Sequence, residues 1–193
     1  ALELVDAACL DVIRRGAGAA LVPDEARALL IIEVDGMPAA VGEEAERVLR
    51  ACRAAGATDV RQAVDATERE ELWRVRRELS LALRAEAPLK INHDVVVPKA
   101  RIPDLFAVIR ALRHEHGLSM PSFGHVGDGN IHVNMLVDPN DAAVMRAART
   151  AERRLFEEVV ALEGSISGEH GIGSSKAAYL GLELTPETIA LMR

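Results

Sequence analysis

Half of the chain's six histidines, His125, His132 and His170, lie in two glycine-rich segments, GHVGDGNIHVN (124–134) and SGEHGIG (167–173). Imidazole titrates near neutrality and ligates first-row metals, so such clusters suit either a cation or proton transfer. Asp128-Gly129 between two extended runs favours a two-residue hairpin turn with positive φ at both central positions. That turn sets Gly127 opposite Asn130, Val126 opposite Ile131 and His125 opposite His132, with the two histidines on one face and their Cβ atoms roughly 4.5–5.5 Å apart. Two imidazoles so placed can share a cation, and Asn134 falls on the same face. Glu169 supplies a carboxylate for a set of two histidines and one acid that leaves a coordination position open. His170 is then free to act as a base. Zinc, manganese and iron all accept these donors, so the ligand types alone do not choose among them. Each position taken singly fits a structural role; together they are hard to attribute to packing.

Arg76 and Ser80 stand four apart on a helical run, share one face, and could together hold a carboxylate, with Lys90 at the edge of the next strand as a third donor. Arg74 and Arg77 read as solvated. His93 alternates with Ile91 and Val95, the pattern of a satisfied core histidine. His114 and His116 end a helix, where positive charge suits the dipole. The glycines do not form a dinucleotide fingerprint, since GHVGDG has the wrong spacing.

The elements that must position these residues alternate along the chain. Leu29–Val34 reads as a buried strand closed by Asp35-Gly36, and Glu43–Ala55 as an amphipathic helix. Asp59–Val64 alternates weakly, as a strand. Thr67 and Glu70 form a capping-box signal for a helix running to Arg84. Lys90–Val97 reads as extended, Ile102–His116 as a helix capped by Gly117, Asp141–Glu163 as a long helix, and Lys176–Leu180 as helical. The hairpin makes the strongest strand pair antiparallel. The expectation is an α+β fold, a largely antiparallel sheet with helices packed on it.

At 193 residues and 49% hydrophobic content, the chain can build one well-packed core. Only 3% of it is aromatic and its net charge is -7, which argues against a nucleic-acid surface. No apolar run reaches the ~20 residues of a membrane span, and Cys9 and Cys52 read as buried free thiols, so a cytoplasmic protein is expected. The chain begins and stops inside apparent structure, as a fragment would. From the residues alone, a metal-dependent hydrolase or a non-catalytic binding module of the same fold also fits, because the donor set could equally activate water.

GHVGDGNIHVN followed by GSISGEHGIG, preceded by Trp73-x-x-Arg76 and by KINHDVVVPKARIPDL, resembles the C-terminal domain of FAD-linked oxidases of the vanillyl-alcohol-oxidase superfamily. The likeness covers nearly the whole chain and is strongest to the branch holding the glycolate oxidase FAD-binding subunit, D-lactate dehydrogenase and D-2-hydroxyglutarate dehydrogenase. It implies a ferredoxin-like cap over a flavin bound mainly by an N-terminal FAD domain of the same full-length chain, and an electron-transfer protein or further subunits as partners. By motif position it implies His125, His132 and Glu169 as ligands of a divalent metal, and His170 as the base for a 2-hydroxy acid substrate. Arg76, Ser80, Lys90 and Asn134 would bind that substrate, and Gly129, Asn130 and Gly171 would approach the cofactor. His93 stands where an acidic residue is common in relatives.

Overall fold

Alternating side chains along five segments build one antiparallel sheet, and the helices cover both of its faces. The computed structural model describes residues 1–16 and 22–192. In chain order the elements are β1 (Leu2–Asp6), α1 (Ala7–Arg14), β2 (Ala28–Ile32), α2 (Pro38–Ala54), α3 (Ala66–Ala85), β3 (Leu89–Val96), α4 (Ile102–His116), β4 (Ser122–His125), β5 (Asn130–Val137), α5 (Ala142–Ala161), α6 (Leu180–Glu183) and α7 (Pro186–Leu191). The strands lie in the order β2-β1-β4-β5-β3, each neighbour antiparallel. The expected α+β class with an antiparallel sheet is therefore observed.

Period-two alternation divides the sheet's residues between two cores. Val95, Ile131, Val133 and Met135 turn to α4 and α5, where they pack with Leu105, Ile109, Leu155 and Phe156. Val5 and Phe123, opposed across β1 and β4, turn the other way and pack with Leu10 of α1 and Val75, Leu79 and Leu83 of α3. The second face also carries His125, His132, Asn134 and Asp94, beyond the part that α1 and α3 cover. Among the described residues no helix is long and apolar enough to cross a membrane.

Local rules account for most boundaries. Helix α4 ends at Gly117 in the left-handed region, φ 63°, and Asp141 caps α5 through the N–H groups of Ala143 and Val144. Other expectations need correction. Asp59–Val64 forms no strand, because its weak alternation meets no sheet edge with which to pair. The strand read at 29–34 is β2, an edge strand with only Ile31 buried and Leu30 largely exposed, so it is not a buried strand. Helix α3 begins before the Thr67 signal: Asp65 accepts from the N–H of Glu68, and Glu68 accepts from that of Val64. Helix α2 starts at Pro38 instead of Glu43, proline being favoured in a first turn, and buries none of its residues fully. Residues 177–179 form a 3-10 turn leading into α6. Cys9 is buried but Cys52 only half-buried, and both are unpaired.

His93 does sit in the α4/α5 core, edge-on to Phe156, yet its Nε2 has no hydrogen-bond partner and lies 3.6 Å from Glu152. It is a core histidine, though not a satisfied one. Burial, reinforced by Lys176, lowers its pKa from 6.5 to about 4. The unfolded chain therefore binds this proton near pH 6.5 while the folded chain refuses it until about pH 4, so stability falls as pH drops through that window. The expected outcome is a lower thermal midpoint at pH 5 than at pH 7, with a clearly shallower decline in His93→Leu; an identical slope in the variant would contradict the assignment.

Candidate metal and substrate site

The β4–β5 connection is longer than the expected two-residue turn. His125 pairs with Asn130, and His132 with Phe123, so Val126–Gly129 form a four-residue connection. Within it only Gly129 has positive φ, 89°, while the N–H groups of Asp128 and Gly129 both donate to the carbonyl of His125. Tertiary bonds hold this longer loop: Gly127 N–H donates to Leu2 of β1, and Val97 N–H donates to the Gly129 carbonyl. A Cβ at Gly129 would stand 2.1 Å from the Val97 oxygen, so only glycine fits there. The inferred pairing of His125 with His132 is thus off by two residues. An even displacement preserves the face, and the histidines become diagonal neighbours with ring centroids 5.5 Å apart.

After α5, the segment following Gly164 joins the edge of β3 through Ser165 and carries Glu169 and His170 to these histidines. Glu169 Oε1 lies 3.3 Å from His132 Nε2 and 3.7 Å from His125 Nε2. Donor atoms of His125, His132 and Glu169 all fall within 4.8 Å of one another. His170 stacks on His132 with centroids 5.3 Å apart and is half exposed, its Nε2 3.8 Å from Glu169 Oε1. A second group within the same limit, Asp94, His132 and His170, shares His132. Burial, then the nearby Arg76, lowers the His132 pKa to about 4, with Asp94 and Glu169 opposing the shift. Its ring is therefore neutral at physiological pH, as a metal ligand must be.

Two acids at the centre escaped the sequence reading. Glu3 of β1 opposes His125 and joins it through Nδ1, while its other oxygen accepts from Arg76 Nε at 2.7 Å. Strand β1 gave too short a run to read at the start of the chain. Asp94 is fully buried, opposite His132, and takes hydrogen bonds from the Asn130 side chain and two backbone N–H groups. Alternation could have found it: if His93 and Val95 face one core, Asp94 must face the other way, with His132 and Asn134.

The remaining expected site residues are placed as follows. Arg76 lies over the Phe123 ring, 4.4 Å from its centroid, and neither terminal guanidinium nitrogen makes a hydrogen bond among the described residues. Lys90 donates to Ser80 Oγ at 2.8 Å, so these two meet each other. Burial, then Arg84, lowers the Lys90 pKa. Asn134 is fully buried, donating to the Pro121 carbonyl, while its Oδ1 and His132 Nδ1 have no partner. Asn130 and Gly129 are engaged in internal contacts, whereas Gly171, φ 74°, stands open at the rim.

All 193 residues match the family described as FAD linked oxidases, C-terminal domain. The chain belongs to this family. Over its full length it is 34% identical to glycolate oxidase subunit GlcD of Bacillus subtilis, covering 41% of that protein, and 32% identical to a D-lactate dehydrogenase of Archaeoglobus fulgidus, again covering 41%. Bovine mitochondrial D-2-hydroxyglutarate dehydrogenase is 29% identical across the whole chain, which covers 35% of it. The chain thus spans about two fifths or less of these relatives' lengths. In this FAD-oxidase C-terminal domain, His93 points to the far side of the sheet from the cluster and does not enter the site.

Because Glu3 orients His125, one of the candidate ligands, and holds Arg76, its replacement should act through both. In Glu3→Gln, affinity for Zn²⁺ measured by calorimetry is expected to fall roughly 10–100-fold, the usual consequence of removing a carboxylate that supports a ligating histidine. Unchanged affinity would remove Glu3 from that role.

Proposed function

We propose that this chain is the substrate- and metal-binding cap domain of an FAD-dependent 2-hydroxy-acid dehydrogenase or oxidase, of the glycolate oxidase or D-lactate dehydrogenase type, converting a 2-hydroxy acid to the 2-oxo acid. The observation that carries the reading is the convergence of His125, His132 and Glu169 beside His170, with the open fork of Arg76 on the same face. His125, His132 and Glu169 would hold a divalent cation, which when bound supplies Lewis acidity toward the substrate hydroxyl. FAD, bound mainly by a preceding domain of a longer chain, would accept the hydride.

The chain's own residues bind, orient and move a proton. Arg76 offers two parallel N–H donors to the substrate carboxylate, the geometry that suits bidentate recognition. Ser80, one helical turn further along α3, Lys90 of β3 and Asn134 complete the substrate contacts. Gly171 lets the loop approach the cofactor, with Gly129 and Asn130 fixing the floor beneath. His170 takes the hydroxyl proton on its ring, and its exposure lets that proton pass to solvent. The strand–helix–hairpin–helix run β3–α4–β4–β5–α5 supports a ferredoxin-like cap, and the unpaired cysteines fit a cytoplasmic location. A longer chain would pass electrons on to an electron-transfer protein or further subunits.

Oxidation of a panel of D- and L-2-hydroxy acids by the full-length protein, with and without chelator, tests the proposal. His170→Ala should lower kcat by ~10²–10⁴ while metal content stays constant, and the 193-residue chain alone should show no turnover. Full activity after confirmed metal loss would remove the cation from the mechanism. Metal-dependent ester hydrolysis by the chain alone would favour the hydrolase reading instead.

A further inference from the structure

Two ligand triads overlap at His132, one completed by Asp94 and His170, the other by His125 and Glu169. Their carboxylates differ sharply in what they already hold. Asp94 Oδ1 accepts from Asn130 Nδ2 at 2.7 Å, and Oδ2 accepts from the backbone N–H groups of Gly168 at 3.0 Å and His170 at 2.8 Å. A carboxylate offers about four acceptor sites, so three are taken, and a cation on Oδ2 would have to displace the Gly168 and His170 amides that already hold it. Glu169 accepts no hydrogen bond among the described residues and is half exposed. The free carboxylate is therefore that of Glu169.

We infer that Asp94 is a positioning residue and not a metal ligand: its buried carboxylate clamps the Ser167–Gly171 segment, holding Glu169 and His170 over His125 and His132. The inference rests on the roles proposed above for Glu169 and His170. Both donors from the segment flank Glu169, so the clamp fixes the backbone on either side of the proposed ligand. The segment also lies against the clamp: a Cβ at Gly168 would come within 1.7 Å of Asn130 Nδ2 and 2.6 Å of Asp94 Oδ1. The main chain of Asp94 is tied as well, its carbonyl accepting from Lys176 Nζ at 2.8 Å and from Gly168 N–H at 3.3 Å. Lys176 is only 6% exposed, an uncommon setting for a lysine, and it secures the far end of the same loop. Next to it, Val96 and Ser165 exchange backbone hydrogen bonds of 3.0 and 2.8 Å. Burial raises the Asp94 pKa, but the His170 N–H, the Asn130 amide and Lys176 outweigh it and bring it below the usual carboxylate range, so the clamp is charged at neutral pH.

The test uses the full-length chain with Co²⁺ as the probe, read by calorimetry, X-ray absorption at the cobalt edge, and amide hydrogen exchange. Asp94→Asn keeps the volume but turns an amide donor toward donors, so the segment should loosen. Co²⁺ affinity is expected to fall roughly 10–100-fold, with two imidazoles and one carboxylate still bound to cobalt, and exchange should accelerate at residues 165–171. Gly168→Ala, which pushes the segment away while leaving Asp94 intact, should reproduce both effects and decides the matter if the first variant does not fold. Loss of a carboxylate from the cobalt shell in Asp94→Asn, or unchanged affinity and exchange in both variants, would overturn the inference. Should the wild-type chain take up no Co²⁺, the metal reading fails by itself, and the exchange data alone judge the clamp: acceleration confined to 165–171 supports it, and none refutes it.

Discussion

Parity of strand register is the constraint on which this site depends. Side chains alternate across a sheet with a period of two, so an odd slip between β4 and β5 would send His132, Asn130 and Asn134 to the opposite face from His125. The register is held from both sides: β5 lies between β4 and β3, and the hairpin loop is pinned to β1 through Gly127 and to the end of β3 through Gly129. Apolar burial enforces the same parity, because Val133 and Met135 fill the α4/α5 core only if His132 and Asn134 turn away from it. Packing on one face thus determines the chemistry of the other.

The polar face carries a large burden of buried charge, and the arrangement shows how it is tolerated. Glu3 is shared between Arg76 and His125, Asp94 is surrounded by three N–H donors, and Lys176 caps a carbonyl. Among the described residues no buried carboxylate stands alone, which keeps the cost of desolvation in check. His132 is accommodated differently, by remaining neutral. Glu169 and His170, which keep free capacity, are half exposed, where a ligand arrives.

Sequence reasoning recovered the donors better than the scaffold that holds them. Histidines and glutamate among glycines advertise themselves by type and spacing, and α4 and α5 by helical period and caps. The face shared by His125 and His132 was also legible, since it survives an even displacement, although the pairing itself was not. Turn length was settled by bonds from Gly127 to Leu2 and from Val97 to Gly129, contacts between residues far apart in sequence that no local signal encodes. Glu3 and Asp94 were missed for the same reason: each looks like an ordinary acid in a strand until its partners, more than 30 residues away, are known. The 59–64 segment failed in the opposite direction, an alternating pattern with no edge to join.

The strand order also governs when the site can exist during synthesis. Of the five strands β1 emerges first, yet its inner neighbour β4 begins at Ser122, and Lys176 fastens the loop only after all five have been made. Closing such long intervals is entropically slow, and an unpaired strand edge waits exposed in the meantime. The earliest stable pairing available to β1 is with nearby β2, which would shelter one of its edges on the ribosome while the other stays open. A cation held by His125, His132 and Glu169 together would therefore meet these donors only after the sheet has assembled, and could not guide that assembly.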